Sequence, residues 1–259
     1  MDNRPVLFID SGIGGIPYCM EFIRENPHEN VFYLADHENF PYGPLKKEDL
    51  ISILITLTGK LLEKVNPKII VLACNTATIA AISSLREKFP NVPFVGTVPA
   101  VKPAAEACNN GKVGVLATKR TIEDINTLHL ADKSCEIYGV AAPELVEFVE
   151  KHLDESSEEE KINTVRKYID IFSAAKADTI VLGCTHFLFL LEEFHREAEG
   201  HFKVFDSLAG ITKRIEFLLD ENNGSLRADK NIKKRILAVT YRNTTPFTGL
   251  GKTLRKHGV

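Results

Sequence analysis

The sequence predicts an α/β fold of two pseudo-symmetric domains, each a mainly parallel sheet flanked by helices, with the active site in the cleft between them. Three observations carry that expectation. Short β-branched runs alternate with helical patterns almost throughout, as βαβ units do. Two of those runs are near copies, Lys68-Ile-Ile-Val-Leu-Ala-Cys-Asn-Thr76 and Asp178-Thr-Ile-Val-Leu-Gly-Cys-Thr-His186. Their cysteines stand 110 residues apart (184 against 74), and another pair of strand ends, Asp10 and Thr118, repeats at 108 (118 against 10).

The first strand is expected at residues 5–9, where Arg4-Pro-Val-Leu-Phe-Ile-Asp10 rises straight into an apolar run. Further strands follow at 31–35, 68–73, 112–117, 135–140, 178–183 and 202–205, each a run too short for a helix and bounded by polar or turn residues. Between them lie helices. Residues 46–64 repeat apolar side chains at helical spacing through Leu50, Ile53, Leu54, Leu57, Leu61 and Leu62. A helix over 157–175 opens with Ser157 followed by Glu160, the spacing of a capping box. The acidic run from Asp154 to Glu160 then reads as a solvated first turn that complements the helix dipole. Pro99 and Pro103, after Val95-Gly-Thr-Val98, mark the crossing into the second half, and Asp206-Ser207 mark the return. The expected domains are residues 1–97 with 208–259, and residues 98–207.

Composition narrows the function. With 259 residues the chain can bury a substantial core. A net charge of −3 and a pI of about 6.3 give no long-range attraction for nucleic acid or anionic lipid. The basic residues near the end (Lys230, Lys233, Lys234, Arg235, Lys252, Arg255 and Lys256) are offset by acids elsewhere and read as a solvated face. No apolar run approaches the length of a membrane span, and the first strand leaves no room for a signal peptide. The expectation is a cytoplasmic protein acting on a small molecule, with neither a nucleic-acid nor a membrane partner. Five cysteines in such a compartment stay reduced, as packing groups, metal ligands or catalysts.

In open parallel sheets ligands bind beyond the carboxyl ends of the strands. The polar residues there are Asp10-Ser11, Cys74-Asn75-Thr76, Thr118 with Thr121, and Cys184-Thr185-His186. The turn Gly12-Ile-Gly-Gly15 can offer bare backbone N–H groups to an anion, a carboxylate as readily as a phosphate. It lacks the spacing of a dinucleotide fold and the lysine of a P-loop. Cys19, Cys108 and Cys135 read as small packing groups. Cys74 and Cys184 differ, because each follows a buried run and precedes hydroxyl or amide side chains. A zinc set of Cys74, Cys184, His186 and Asp10 is the rival reading, though no pair among them has a usual ligand spacing.

Two mirrored acid/base groups suit one chemistry in particular. Inverting a carbon that bears a hydrogen requires a proton to leave one face and another to arrive on the opposite face. Thiols can do both. A free cysteine has a pKa of about 8.5, so forming the thiolate near neutral pH costs only about 2 kcal/mol. His186 or a helix N-terminus would lower that cost, and an ionised Asp10 would raise it, which casts Asp10 as a proton acceptor or an orienting group.

Asp10-Ser-Gly-Ile-Gly-Gly15, Pro41-Tyr-Gly43, Ala73-Cys-Asn-Thr-Ala77 and Gly183-Cys-Thr-His186 occur in this order, and together they resemble the glutamate racemase family along nearly the whole chain. The resemblance implies a cofactor-independent racemase that interconverts L- and D-glutamate and supplies D-glutamate for peptidoglycan, with no metal and with a homodimer as its assembly. It casts Cys74 and Cys184 as the two bases, assisted by Asp10 and His186. Ser11, Pro41, Tyr42, Gly43, Asn75, Thr76, Thr118, Thr121 and Thr185 would surround the substrate. The family's auxiliary glutamate aligns with Glu150, through Ala141-Ala-Pro143 and Val149-Glu150. Ala142, Glu147 and Leu188 depart from the family's usual cysteine, proline and proline, and are expected to alter packing behind the cleft rather than the reacting groups. Two alternatives stand beside this reading. An aspartate racemase would resemble a Gly-Gly-Met-Gly opening that the chain lacks, and a non-catalytic amino-acid-binding protein would have no need of either thiol.

Overall fold

The computed structural model describes residues 1–128, 135–231 and 235–240, and the chain forms two compact units, Met1–Thr97 with Leu208–Val259, and Val98–Ser207. The first unit begins with β1 (Val6–Asp10), α1 (Ile16–Glu25), β2 (Val31–Ala35), α2 (Lys47–Lys64), β3 (Ile69–Leu72), α3 (Asn75–Lys88) and β4 (Phe94–Gly96). The second unit holds α4 (Val101–Ala107), β5 (Lys112–Ala117), α5 (Lys119–Leu128), β6 (Glu136–Ala141), α6 (Pro143–Lys151), α7 (Glu158–Ala174), β7 (Thr179–Leu182), α8 (Leu191–Ala198) and β8 (Lys203–Phe205). The chain then returns to the first unit with α9 (Leu208–Gly224) and β9 (Ile236–Thr240).

Both sheets are wholly parallel and share one strand order. In the first unit it is β4-β3-β1-β2-β9, in the second β8-β7-β5-β6. Each sheet therefore starts with a central strand, adds the second on one side and returns to place the third on the other. That reversal leaves a crevice beyond the carboxyl ends of the first and third strands, between β1 and β3 in one unit and between β5 and β7 in the other. Registers match as well, with Ile9 beside Leu72 and Leu116 beside Leu182. The carbonyl of Ile9 accepts from the Ala73 N–H, and that of Leu116 from the Gly183 N–H.

The central strands are apolar on both faces because helices cover both. Every residue of β1, β3 and β7 is buried, as nearly continuous apolar runs covered on both faces demand. Helix α2 buries the stripe Leu50, Leu54, Leu57 and Leu61 with Thr58 among them, while Ile53 and Leu62 lie at its margin. Helix α7 closes the expected capping box, in which Ser157 Oγ accepts from the Glu160 N–H and the Glu160 carboxylate accepts from the Ser157 N–H. Residues Asp154 to Glu160 lie mostly exposed ahead of it and over its first turn. Lys68 departs from its residue type: at the base of β3 it is fully buried, donating to Glu29 (2.5 Å) and to the carbonyls of Asp2 and Leu226.

Two strands escape the sequence reading. β4 has only three residues, lost between Pro93 and the expected crossing after Val98. β9 lies inside the basic stretch read as a solvated face, yet it pairs with β2 along its whole length. As the edge strand among the described residues it needs one apolar face only, and the flanking charges mask it. Lys230 and Arg235 are exposed as expected, and Lys233, Lys234, Lys252, Arg255 and Lys256 fall outside the described residues. Among the described residues no helix is long and apolar enough to cross a membrane.

Candidate active site

In the first unit, β1 delivers Asp10 fully buried to its carboxyl end, where one carboxylate oxygen accepts from the Gly12 N–H at 2.7 Å. The Tyr33 hydroxyl on β2 donates to the Gly12 carbonyl and anchors the same turn. Gly15 ends the turn against β3, and a Cβ there would lie 2.6 Å from the Ala73 Cβ and 3.0 Å from the Ala73 carbonyl oxygen. Only glycine permits that approach. The turn is thereby fixed on the step that leads to Cys74.

Cys74 is the N-cap residue of α3, in extended backbone, and its thiol makes no capping bond. It is 8 % exposed, beside the buried Asn75 and Thr76 of the first helical turn. Ser11 is buried too. Tyr42 reaches the same region: its hydroxyl donates to the Asp36 carboxylate at 2.7 Å, and the charges of Asp36, Cys74 and Asp10 all act on it. Burial first, then those charges, hold its ionisation well above the ordinary tyrosine range, so the hydroxyl keeps its proton. Of its neighbours in the motif, Gly43 is half-buried and Pro41, which follows a cis peptide bond, is exposed.

Asp36 was not among the expected site residues. It is fully buried at the carboxyl end of β2, its N–H donates to the Asp10 carbonyl, and its carboxylate accepts from Tyr42 and from Asn39 Nδ2. Burial raises its pKa, and the hydrogen bonds from Tyr42 and Asn39 offset part of that rise. The strand-end rule that marks Asp10 would have marked it.

The second unit repeats the plan with different side chains. Cys184 is the N-cap residue of a short 3-10 helix, Thr185–Leu190, again in extended backbone and 6 % exposed. Its Sγ lies 3.8 Å from His186 Nδ1, and His186 Nε2 lies 2.6 Å from a Glu150 carboxylate oxygen on α6. Both side chains of that pair are 5 % exposed. Burial alone would strip the imidazole of its extra proton, but the bonds to Cys184 and Glu150 and the charge of Glu150 outweigh it, and the pKa of His186 lies well above the ordinary histidine range. Both ring nitrogens then donate, one to the sulfur and one to the carboxylate. Thr118, where Asp10 stands in the first unit, accepts the Thr121 N–H on its hydroxyl, and the two hydroxyls are 2.9 Å apart. Thr121 and Thr185 are buried.

The departures fall in different places. Ala142 is fully buried, and its N–H bonds to the Ala117 carbonyl as that of Asp36 bonds to Asp10. Leu188 is buried in the 3-10 helix. Glu147 instead faces solvent and pairs with Lys151, so its change does not touch the packing behind the site as expected. Among the described residues no three His, Cys, Asp or Glu side chains gather as a metal would need.

The Asp/Glu/Hydantoin racemase family profile matches residues 23–213. The chain belongs to this family. Within the Asp/Glu/Hydantoin racemases it is 38 % identical over 226 residues to a glutamate racemase of Bartonella henselae, covering 85 % of this chain and 84 % of that one. A glutamate racemase of Roseiflexus is 35 % identical over 250 residues, with 95 % and 90 % covered. The fold of this racemase also superimposes on the crystal structure of the Escherichia coli glutamate racemase in complex with L-glutamate and the activator UDP-MurNAc-ala, with a TM-score of 0.83, 29 % identity and coverage of 98 % and 96 %.

Proposed function

We propose that this chain interconverts L- and D-glutamate by a two-base mechanism in which Cys74 and Cys184 serve opposite faces of the substrate carbon. The observation that carries the reading is the repeated switch point: two sheets of one strand order, each ending its third strand in a cysteine at a helix N-cap. Membership in a racemase family, and relatives named glutamate racemase along most of the chain, support glutamate as the substrate.

In one direction a thiolate takes the Cα proton: the C–H bond breaks, an S–H bond forms, and the electron pair is held by the substrate carboxylate. The opposite thiol then gives its own proton to the other face. Each thiol is therefore base in one direction and acid in the other. Asp10 and Tyr42 act on the side of Cys74, and the Glu150-His186 pair acts on the side of Cys184, where the imidazole faces the sulfur and the carboxylate holds the ring in place. Ser11, Asn75, Thr76, Gly43, Thr118, Thr121 and Thr185 bind the substrate's polar ends, with Pro41 shaping the loop that carries Tyr42. No cofactor or metal takes part. The D-glutamate serves peptidoglycan synthesis in the cytoplasm, and the enzyme works as a homodimer.

The test is incubation with L-glutamate in deuterated water, following optical rotation and α-deuterium together. The D-product is expected to carry deuterium from its first appearance, after exhaustive chelation as before it. Cys74→Ala and Cys184→Ala are each expected to abolish inversion, since a general acid or base contributes roughly 10² to 10⁴-fold and the missing partner also closes the route. Product that retains the substrate's own hydrogen would mean a single shared base, and activity that vanishes on chelation and returns with zinc would mean a metal site.

A further inference from the structure

Two cysteines read from the sequence as packing groups lie together at the other edge of the second sheet. Cys108 caps the C-terminal end of α4, and Cys135 immediately precedes β6. The Cys135 thiol donates to the carbonyl of Ala105, in the last turn of α4, at 3.5 Å, and the Cys108 and Cys135 side chains are hydrogen-bonding neighbours. Both pack on the apolar cluster formed by Val101, Ala104, Ala105 and Val113, and both remain part-exposed, whereas Cys19, Cys74 and Cys184 are buried. The turn after Cys108 is pinned, because Asp178 accepts from the N–H groups of Asn109 and Asn110 and Asn110 Oδ1 accepts from the Cys108 thiol at 3.6 Å.

We infer that Cys108 and Cys135 are a disulfide-forming pair, an oxidation site separate from the two thiols of the candidate active site. β7 separates the locations: Asp178 stands before it, beside Cys108, and Cys184 stands beyond its other end. At about 3.3 Å per residue the six steps between them span roughly 20 Å, so oxidation at one edge does not consume the thiol at the other. The oxidant named here is a peroxide. One thiolate attacks the peroxide oxygen and the O–O bond breaks, giving a sulfenic acid and hydroxide. The second thiol then attacks that sulfur, the S–S bond forms and water leaves. Two thiols lose two electrons, and one peroxide gains them. The Asp178 carboxylate restrains the first step, because partial burial and that charge hold the Cys108 thiol above its usual range.

The experiment treats the reduced, purified full-length protein with hydrogen peroxide, traps remaining thiols with an alkylating agent and maps the digest by mass spectrometry. Expected is a linked pair of peptides containing Cys108 and Cys135, about 2 Da below the sum of the reduced peptides, while Cys19, Cys74 and Cys184 are still alkylated. A link is expected to close the intervening segment and to raise Tm by roughly 5 °C in a non-reducing scan, reversed by dithiothreitol. Cys108→Ser and Cys135→Ser should each remove the link and the Tm shift while glutamate racemisation stays unchanged. Asp178→Asn, which can still accept from the two backbone N–H groups, should speed link formation several-fold at neutral pH. Should either serine variant misfold, the linked peptides and the Asp178→Asn rate decide the matter in proteins that keep both thiols. First oxidation at Cys74 or Cys184, or oxidation of Cys108 and Cys135 to separate sulfinic acids with no link, would overturn the inference.

Discussion

Glu150 and His186 form a buried pair whose charge state depends on contact rather than on residue type. Replacing Glu150 with glutamine keeps a hydrogen-bonding group of similar size and removes the negative charge, so burial regains its hold on the imidazole. The expected result is a downward shift of the His186 titration in Glu150→Gln, read from the ring proton resonances by NMR. The same pair fixes the direction of a pH effect on stability. Because the folded-state pKa of His186 lies above its ordinary 6.5, its stabilising contribution is fully present below about that pH and is lost as pH rises through the raised value. Urea midpoints of the wild type and His186→Asn should therefore differ most near pH 6 and converge on the alkaline side. Asp10 and His186 sit in different units beside different thiols, and their loss should be felt unequally in the two directions. Enantiomers in water have equal free energy, so kcat/KM must match in both directions for every variant, and only kcat and KM can separate. For Asp10→Asn and His186→Asn the direction with the larger kcat loss is expected to be opposite, as circular-dichroism progress curves from pure L- and pure D-glutamate would show. Much of this was legible because a strand that ends in polar side chains announces itself. Asp36 was legible by the same rule, since it stands at the carboxyl end of β2 as Asp10 does at that of β1, but its bond to Tyr42, six residues further along a non-periodic loop, and the contact of Glu150 with His186 join residues that no spacing rule connects.

At the scale of elements, two glycines make opposite predictions. Gly15 lies where a Cβ would strike Ala73, so Gly15→Ala should cost about 1–3 kcal/mol through displacement of the turn and lower activity with it. Gly59 lies inside α2 with nothing within 4 Å of a Cβ, and there alanine should stabilise by about 0.5–1 kcal/mol. Urea denaturation of both variants checks the signs. The elements best read from sequence were those with long periodic patterns or unbroken β-branched runs, such as α2, β3 and β7. β4 and β9 were unreadable for a physical reason: a three-residue strand has no period, and an edge strand flanked by lysines is patterned like a solvated segment.

Across the whole molecule, the strand order of the first sheet joins partners that are distant along the chain. β2 is paired on one side by β1, a neighbour in sequence, and on the other by β9, which follows the entire second unit. Lys68 binds in the same way across that gap, holding Asp2, Glu29 and the Leu226 carbonyl around one ammonium. During synthesis the ribosome must therefore make Val98–Ser207 before the first unit can close. At roughly 5–20 residues per second the delay is on the order of ten seconds, during which β2 offers an open edge and Glu29 has no complete set of partners. The second unit is continuous in sequence and has no such wait. A nascent chain halted shortly after α9 is expected to yield a protease-resistant fragment spanning 98–207, while cleavage continues before Thr97 until β9 emerges. Among the described residues, the last strand to be translated is thus the one that completes the sheet begun by the first.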